Sequence, residues 1–355
     1  MNQLERIAVA MSGGVDSSVA AALLVEQGYD VFGIMMRLWS DGPRSPNRCC
    51  SPNDMAQARK VAGQLGIPFY TLDVQETFKQ QVVDFFLDGY SKGTTPNPCM
   101  ECNRRIRWTT LLDHALAMGA THLATGHYAR VVVDDGAYRL RRARDRNKDQ
   151  SYVLSVLTQS QLSQAKLPLG EYTKPEAREQ ARRFKLSVAE RKESQDLCFV
   201  GSEGYRSFLS SHAPHLPGPG QIVDLGGRII GEHTGLADYT IGQRKGIGVS
   251  AASPMYVVAK DLVNNRLTVG PHESLGKTEF AAGRVNWVDG HGPQGPLECL
   301  VQVRYRAQEI GASVISDGEG QVRVVLSKPL PDVTPGQAAV FYDGETCLGG
   351  GTILP

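Results

Sequence analysis

The sequence predicts an α/β protein with three parts: an N-terminal doubly wound parallel sheet, a small central domain and a C-terminal β-barrel. Three observations predict it. Strand-length apolar runs alternate with helical periodicity through the first 200 residues, the pattern of crossover βαβ units. A Pro/Gly linker, His215-Leu-Pro-Gly-Pro-Gly, then interrupts the chain. Beyond it, short Val/Ile/Tyr runs separated by Gly turns take over. The expected domains are 1–200, a nucleotide-binding catalytic unit, 201–272 and 273–355, because 355 residues are too many for one core.

The first unit is the most informative. Ile7 to Met11 is too short for a surface helix and fits a buried strand; Ser17 to Gln27 is rich in Ala, Val and Leu and stops at Gly28; Val31 to Met36 is a second strand. Between strand and helix lies Ser12-Gly-Gly-Val-Asp-Ser-Ser18, where helix amides and glycines without Cβ atoms admit a phosphate. Asp16 is placed to hold Mg²⁺ on that phosphate. The competing reading is an ordinary strand-turn-helix corner.

Asp41 to Pro52, with Cys49 and Cys50, has the Pro, Gly, Ser and Asn content of a loop and is placed to cover the nucleotide. A capped helix from Asn53 to Gly66, a strand from Phe69 to Val74 and a helix from Thr77 to Ser91 follow. A second loop, Lys92 to Asn103, precedes a helix from Arg104 to Met118, and Leu123-Ala-Thr-Gly-His-Tyr reads as a strand running into a loop. Residues 151–200 read as mainly helical, with a break at 168–170 and a capped start at Thr173-Lys-Pro-Glu. The barrel rests on ECLVQVRYR, ASVIS, QVRVVLS, QAAVFYD and CLGGGTIL.

A hydrophobic fraction of 41% and a charged fraction of 21% exclude a disordered chain, and no apolar run approaches the roughly 18 residues of a membrane span. The opening MNQLERIAV lacks the regions of a signal peptide, so a cytoplasmic protein with free thiols is expected. The net charge of +1 conceals an uneven distribution. Residues 139–192 carry 14 Lys/Arg against 6 Asp/Glu, and residues 273–355 carry 6 against 10. The stretch Arg139 to Lys148 is therefore either the footprint of a phosphate backbone or a solvated helix face.

Cys99 and Cys102 form a CxxC in the Pro-rich loop before a helix bearing Arg104, Arg105 and Arg107, an environment that lowers a thiol pKa and suits redox, metal or catalytic chemistry. No second CxxC completes a zinc site. Cys198 is the third candidate, about a hundred residues away, in a fold where two loops can meet over one crevice. Cys299 and Cys347 lie in apolar strand patterns and read as inert core residues. His127 is either a general base or a positioning group. Tyr239, Arg244 and Lys245, among glycines, suit sugar-phosphate or stacked bases, or a plain hairpin.

The loop Ser12 to Ser18 resembles the SGGxDS loop of PP-loop ATP pyrophosphatases. Together AMSGGVDSSVAA, TPNPxxxCN, ATGHYAR, KDQSY, the cysteine of CFVG, YTIGQRKG and TPGQAAVFYDGETCLGGGTI resemble the tRNA-specific 2-thiouridylase family from end to end. The resemblance implies an enzyme that adenylates the 2-carbonyl oxygen of the wobble uridine of tRNA with ATP and Mg²⁺, then replaces it by sulfur. It implies ATP contacts from Ala10, Met11, Ser12, Gly13, Gly14, Val15, Asp16, Ser17, Met35 and Gly126. Cys198 would take sulfur as a persulfide from a donor protein, and Cys102 would be its nucleophilic partner. Asn97 and Pro98 would meet the base; His127, Lys148, Asp149, Gln150, Arg304, Tyr305 and Gln337 would touch tRNA. Cys99 stands where many members carry Asp, so Cys99, Cys102 and Cys198 could instead hold a 4Fe-4S cluster. An amide-forming synthetase, a different tRNA-modifying ligase or a non-catalytic RNA-binding protein are the rival classes.

Overall fold

A computed structural model describes residues 4–40, 51–192, 197–200, 204–251, 253–318, 320–331 and 333–355. Cys49 and Cys50 lie outside the described residues. The chain opens with β1 (Arg6–Ala10), α1 (Val15–Glu26), β2 (Asp30–Arg37), α2 (Pro52–Leu65) and β3 (Phe69–Asp73), close to the expected order. Ser51, rather than Asn53, caps α2: its hydroxyl accepts from the Asp54 amide, and the Asp54 carboxylate accepts from the Ser51 amide.

Next come α3 (Gln75–Phe78), a π-helical turn (Lys79–Val83), α4 (Asp84–Ser91), α5 (Pro98–Glu101), a π-helical stretch (Cys102–Leu111), α6 (Leu112–Ala117) and β4 (His122–Ala124). A hairpin of β5 (Ala129–Asp134) and β6 (Ala137–Arg142) leads to α7 (Ser151–Leu154), α8 (Gln159–Ser163), β7 (Ala165–Lys166), α9 (Lys174–Arg183) and α10 (Gly204–His212). The parallel sheet has the order β3-β2-β1-β4-β7. Ile7 of β1 pairs with Val31 on one side and His122 on the other, so strand order reverses at the carboxyl end of β1. That reversal opens the crevice in which α/β sheets bind ligands.

The central unit is a four-stranded sheet, β8 (Gly220–Val223), β9 (Ile229–His233), β10 (Tyr256–Asp261) and β11 (Arg266–Gly270), around Ile222, Leu236, Val257 and Leu267. The last unit is the barrel: β12 (Lys277–Trp287), β13 (Leu297–Gln302), β14 (Ile310–Gly318), β15 (Gln321–Leu330), β16 (Ala338–Asp343) and β17 (Thr346–Ile353). Pairing of Ala282 on β12 with Ile353 on β17 closes the ring. Closure removes the exposed edges of a sheet.

Two local expectations are corrected. Cys99 and Cys102 are not in a loop: Asn97 accepts from the Met100 amide and Pro98 occupies the first helical turn, so the helix begins before both thiols. Residues 139–142 are not a helix face but part of β6, and Arg141 and Leu140 pair with Thr346 and Cys347 of β17, which joins the hairpin to the barrel. The basic surplus of that stretch is answered by the acidic C-terminal part. Arg142 pairs with Asp149 and Glu309, Arg146 with Glu345, and Arg139 with Asp289. Arg139, Arg142 and Arg146 of this stretch thus each have an acidic partner in the C-terminal part, which a local charge count does not see.

Candidate active site at the switch point of the parallel sheet

The loop after β1 is shaped by its glycines. Gly13 has φ +72, and a Cβ there would lie 2.4 Å from the Asp54 carbonyl oxygen. Gly14, the N-cap of α1, offers no side-chain cap, so the helix's first amides are not taken by one. Ser17 Oγ accepts from the Ser12 amide at 3.1 Å, and Ser18 Oγ donates to the Gly14 carbonyl at 2.7 Å, which fixes the curve of the loop. Gly126, after β4, passes so close to α1 that a Cβ would lie 2.6 Å from the Ser17 amide. Met35 is buried on β2, and its side chain belongs to the core.

Asp16 is engaged. Lys174 Nζ donates to both of its carboxylate oxygens, at 2.7 and 2.8 Å, and the Tyr128 hydroxyl donates to one at 2.9 Å. Arg191 donates to the Gly13 carbonyl at 2.8 Å and pairs with Asp54, tying the loop to α2. Among the described residues no cluster of three metal-ligating side chains forms. Mg²⁺ therefore fits here as an ion completed by nucleotide phosphates and water, its usual manner of binding.

The thiols differ in setting. Cys102 is buried within the large core that runs from the parallel sheet to the barrel, and Cys198 is half-buried at the edge of that core. Cys99 is exposed. All three are among the described residues, and they do not converge as a metal-binding group. A chain of hydrogen bonds runs from the end of β4 to this helix. Thr125 Oγ1 meets His127 Nδ1 at 2.8 Å, Arg107 meets His127 Nε2 at 3.3 Å and Asn103 at 3.0 Å, and Asn103 donates to the Cys99 carbonyl at 3.1 Å. Burial, then the Arg107 charge, hold the His127 imidazole well below its usual pKa, so it is neutral.

The comparisons with known proteins fit this geometry. Residues 5–202 match the family model described as the tRNA methyl transferase HUP domain, 206–271 the tRNA methyl transferase PRC-barrel domain, and 277–353 the aminomethyltransferase beta-barrel domain. The tRNA-specific 2-thiouridylase MnmA of Chloroflexus aggregans is 48% identical over 99% of this chain and 98% of its own length. The enzyme of that name from Roseiflexus sp. is 46% identical, over 99% of both chains. The chain belongs to the tRNA-specific 2-thiouridylase family. That from Magnetococcus marinus is 45% identical over the whole of both chains.

Against the family's expected tRNA contacts, the structure assigns several side chains internal partners. Asn97 caps α5 and Pro98 is buried. Gln337 donates to the Thr95 carbonyl at 2.8 Å, docking the CxxC segment on the barrel. Asp149 is buried, accepting from the Ala143 amide and from Ser151 and Arg142; Gln150 accepts from the Tyr128 amide. Arg304 bridges the barrel to the Ile241 carbonyl of the central unit at 2.8 Å and to Thr334. Tyr305 is exposed and Lys148 half-buried. Arg244 and Lys245 are exposed, and Arg244 lines an open cavity of about 410 Å³ in the central unit. Sequence reasoning missed Lys174, Tyr128, Arg191, Glu101 and Arg284. The Thr173-Lys-Pro-Glu cap marks a helix start, yet nothing local says that its lysine meets Asp16.

Proposed function

We propose that the chain catalyses ATP-dependent 2-thiolation of the wobble uridine, position 34, of tRNA, with Cys198 and Cys102 as a persulfide relay. The observation that carries the reading is the hydrogen-bonded chain from Thr125 through His127, Arg107 and Asn103 to the Cys99 carbonyl, which links the end of β4, where Gly126 packs on the start of α1, to the segment that carries Cys102. Residues 1–200 perform the chemistry; 201–272 and 273–355 hold the tRNA, with exposed Arg244, Lys245 and Tyr305 and half-buried Lys148 on its path. Asn97, Pro98, Asp149, Gln150, Arg304 and Gln337 position those surfaces.

In the first step the uridine 2-oxygen attacks the α-phosphorus of ATP, pyrophosphate leaves and N3 loses its proton. Glycine amides and the α1 N-terminus receive the phosphates. A persulfide-carrying donor protein charges Cys198. The Cys102 thiolate then attacks Cys198 Sγ, a Cys102–Cys198 disulfide forms, and hydrosulfide is expelled. Hydrosulfide attacks C2, the C2–O bond breaks and AMP departs, leaving 2-thiouridine. A dithiol reductant returns both cysteines to thiols for the next cycle. The relay needs only Cys102 and Cys198, whereas a 4Fe-4S cluster would also draw in Cys99 as a ligand. The site of action is the cytoplasm, where tRNA and reductant are present; no helix among the described residues is long and apolar enough to cross a membrane.

The test separates the two half-reactions. Cys102→Ala and Cys198→Ala proteins are expected to release pyrophosphate with tRNA and ATP, yet to form no 2-thiouridine by mass spectrometry of the tRNA. Full thiolation by either variant would sink the relay. Stoichiometric iron in anaerobically purified, active protein would replace it with the cluster.

A further inference from the structure

The phosphate loop has a missing cation. Ser12-Gly-Gly-Val-Asp-Ser-Ser18 contains neither Lys nor Arg, and its single charge, Asp16, is negative. A loop that receives a triphosphate with no positive charge of its own depends on a cation from elsewhere in the fold. Lys174 is the lysine that the fold brings there, 158 positions along the chain from Asp16. It is 8% exposed, and its Nζ lies between both Asp16 oxygens.

The backbone that delivers it is fixed from three directions. The Lys174 amide donates to Asp145 at 2.9 Å, Thr173 and Glu176 form a reciprocal cap at the start of α9, and Arg144 holds Glu176 with two bonds of 3.1 and 3.2 Å. The Tyr128 ring centroid lies 5.9 Å from the ammonium, and its hydroxyl bonds Asp16, so one aromatic side chain touches both members of the pair. The Asp16 carboxylate, by contrast, is still one-third exposed. The pair therefore sits at the mouth of the crevice with its acidic side open. A pair that served stability alone would gain little here, since desolvating two charges offsets most of their attraction.

We propose that Lys174 is the exchangeable counter-cation of the phosphate loop: it neutralises Asp16 while the site is empty, and passes to the pyrophosphate portion of ATP when the nucleotide arrives. Asp16 is then free to face the cation that accompanies the nucleotide. Lys174 thereby becomes the loop's sensor for the β- and γ-phosphates, and it remains with pyrophosphate as that group departs. The inference rests on reading the Ser12–Ser18 loop as the ATP site.

Calorimetric titration with a non-hydrolysable α,β-methylene ATP analogue, AMP and pyrophosphate tests it without turnover. Lys174→Gln is expected to weaken the triphosphate analogue ~30-fold and leave AMP within about twofold, with Lys174→Arg recovering most of the loss; 30-fold corresponds to about 2 kcal/mol. Equal loss for AMP and the analogue would overturn the proposal, because a collapsed site would lower both. A second variant guards against misfolding. Asp16→Asn releases Lys174, so metal-free pyrophosphate is expected to bind this variant several-fold more tightly than it binds the wild type. Unchanged or weaker binding would overturn the exchange. If the wild-type protein bound none of the three ligands, the ATP reading itself would fall, and this inference with it.

Discussion

Arg284 of the barrel donates from one guanidinium nitrogen, Nη2, to both carboxylate oxygens of Glu101, one of the two residues between the thiols, at 2.9 and 3.1 Å across 183 positions of sequence. Arg284 has φ +53, where the pairing of β12 with β17 shifts between Gly283 and Asn286, an irregularity that re-aims a side chain. Glu101 is buried and also meets Arg105 at 3.3 Å and Arg104 at 3.7 Å. Burial, then the nearby Arg284 charge, lower the Arg104 pKa. The barrel thus grips the helix that carries Cys102. Arg284→Ala leaves Glu101 its two local partners while freeing that helix from the barrel. Thiolation turnover is expected to fall ~10-fold, about 1.4 kcal/mol in barrier, with analogue affinity unchanged. Parallel assays of 2-thiouridine formation and nucleotide binding check it; equal loss in both would point to general destabilisation.

Gly13 is constrained twice, by its left-handed backbone and by the Asp54 carbonyl oxygen 2.4 Å from any Cβ. A backbone atom cannot swing aside as a side-chain tip does. Gly13→Ala is therefore expected to cost more than the ~1–2 kcal/mol of a left-handed non-glycine residue and to abolish measurable ATP-analogue binding. Circular dichroism of the same protein separates a local from a global effect: a folded spectrum is expected, because the clash is confined to the first turn of α2 at Asp54.

Arg191 touches the same loop from outside, donating to the Gly13 carbonyl while pairing with Asp54. Its side chain is 31% exposed and that of Asp54 4%, so the acid, not the base, suffers when the pair is broken. Arg191→Ala leaves Asp54 its Ser51 cap, and the expected result is a five- to ten-fold rise in the apparent KM for ATP, about 1–1.4 kcal/mol, at nearly unchanged turnover. Steady-state pyrophosphate release measures it.

The architecture was readable because its signals are local. Strand β1, the Gly-Gly break and the start of α1 lie within a dozen residues, and each barrel strand carries its own apolar alternation. The inert assignment of Cys347 also holds, with burial pushing its thiol up to about 12. What escaped was pairing across distance. Lys174 looks like an ordinary residue beside a helix cap, and Glu101 like a spacer in a CxxC, until the fold supplies Asp16 and Arg284. The helix start at Pro98 was legible in principle, since Asn97-Pro98 is a cap followed by a first-turn proline, but the surrounding prolines argued for a loop.

His127 gives a pH signature. Arg107 donates to Nε2, so the ring proton is on Nδ1 and is donated to Thr125 Oγ1. Protonating Nε2 would set two donors face to face inside a buried site, which is why burial and Arg107 hold the imidazole well below its usual value. In the unfolded chain the same ring titrates near 6.5. Below that pH the unfolded state binds a proton that the native state refuses, so stability falls as pH drops through 6.5 towards the depressed native value and is independent of this group above it. The slope from one such proton is at most about 1.4 kcal/mol per pH unit. His127→Gln removes the titration, so the stability difference between wild type and variant should be level at pH 7 and narrow as pH falls from about 6.5 to pH 5. Denaturant midpoints at half-unit intervals test this, and a difference that stays constant over the range would mean that His127 takes up its proton inside the fold.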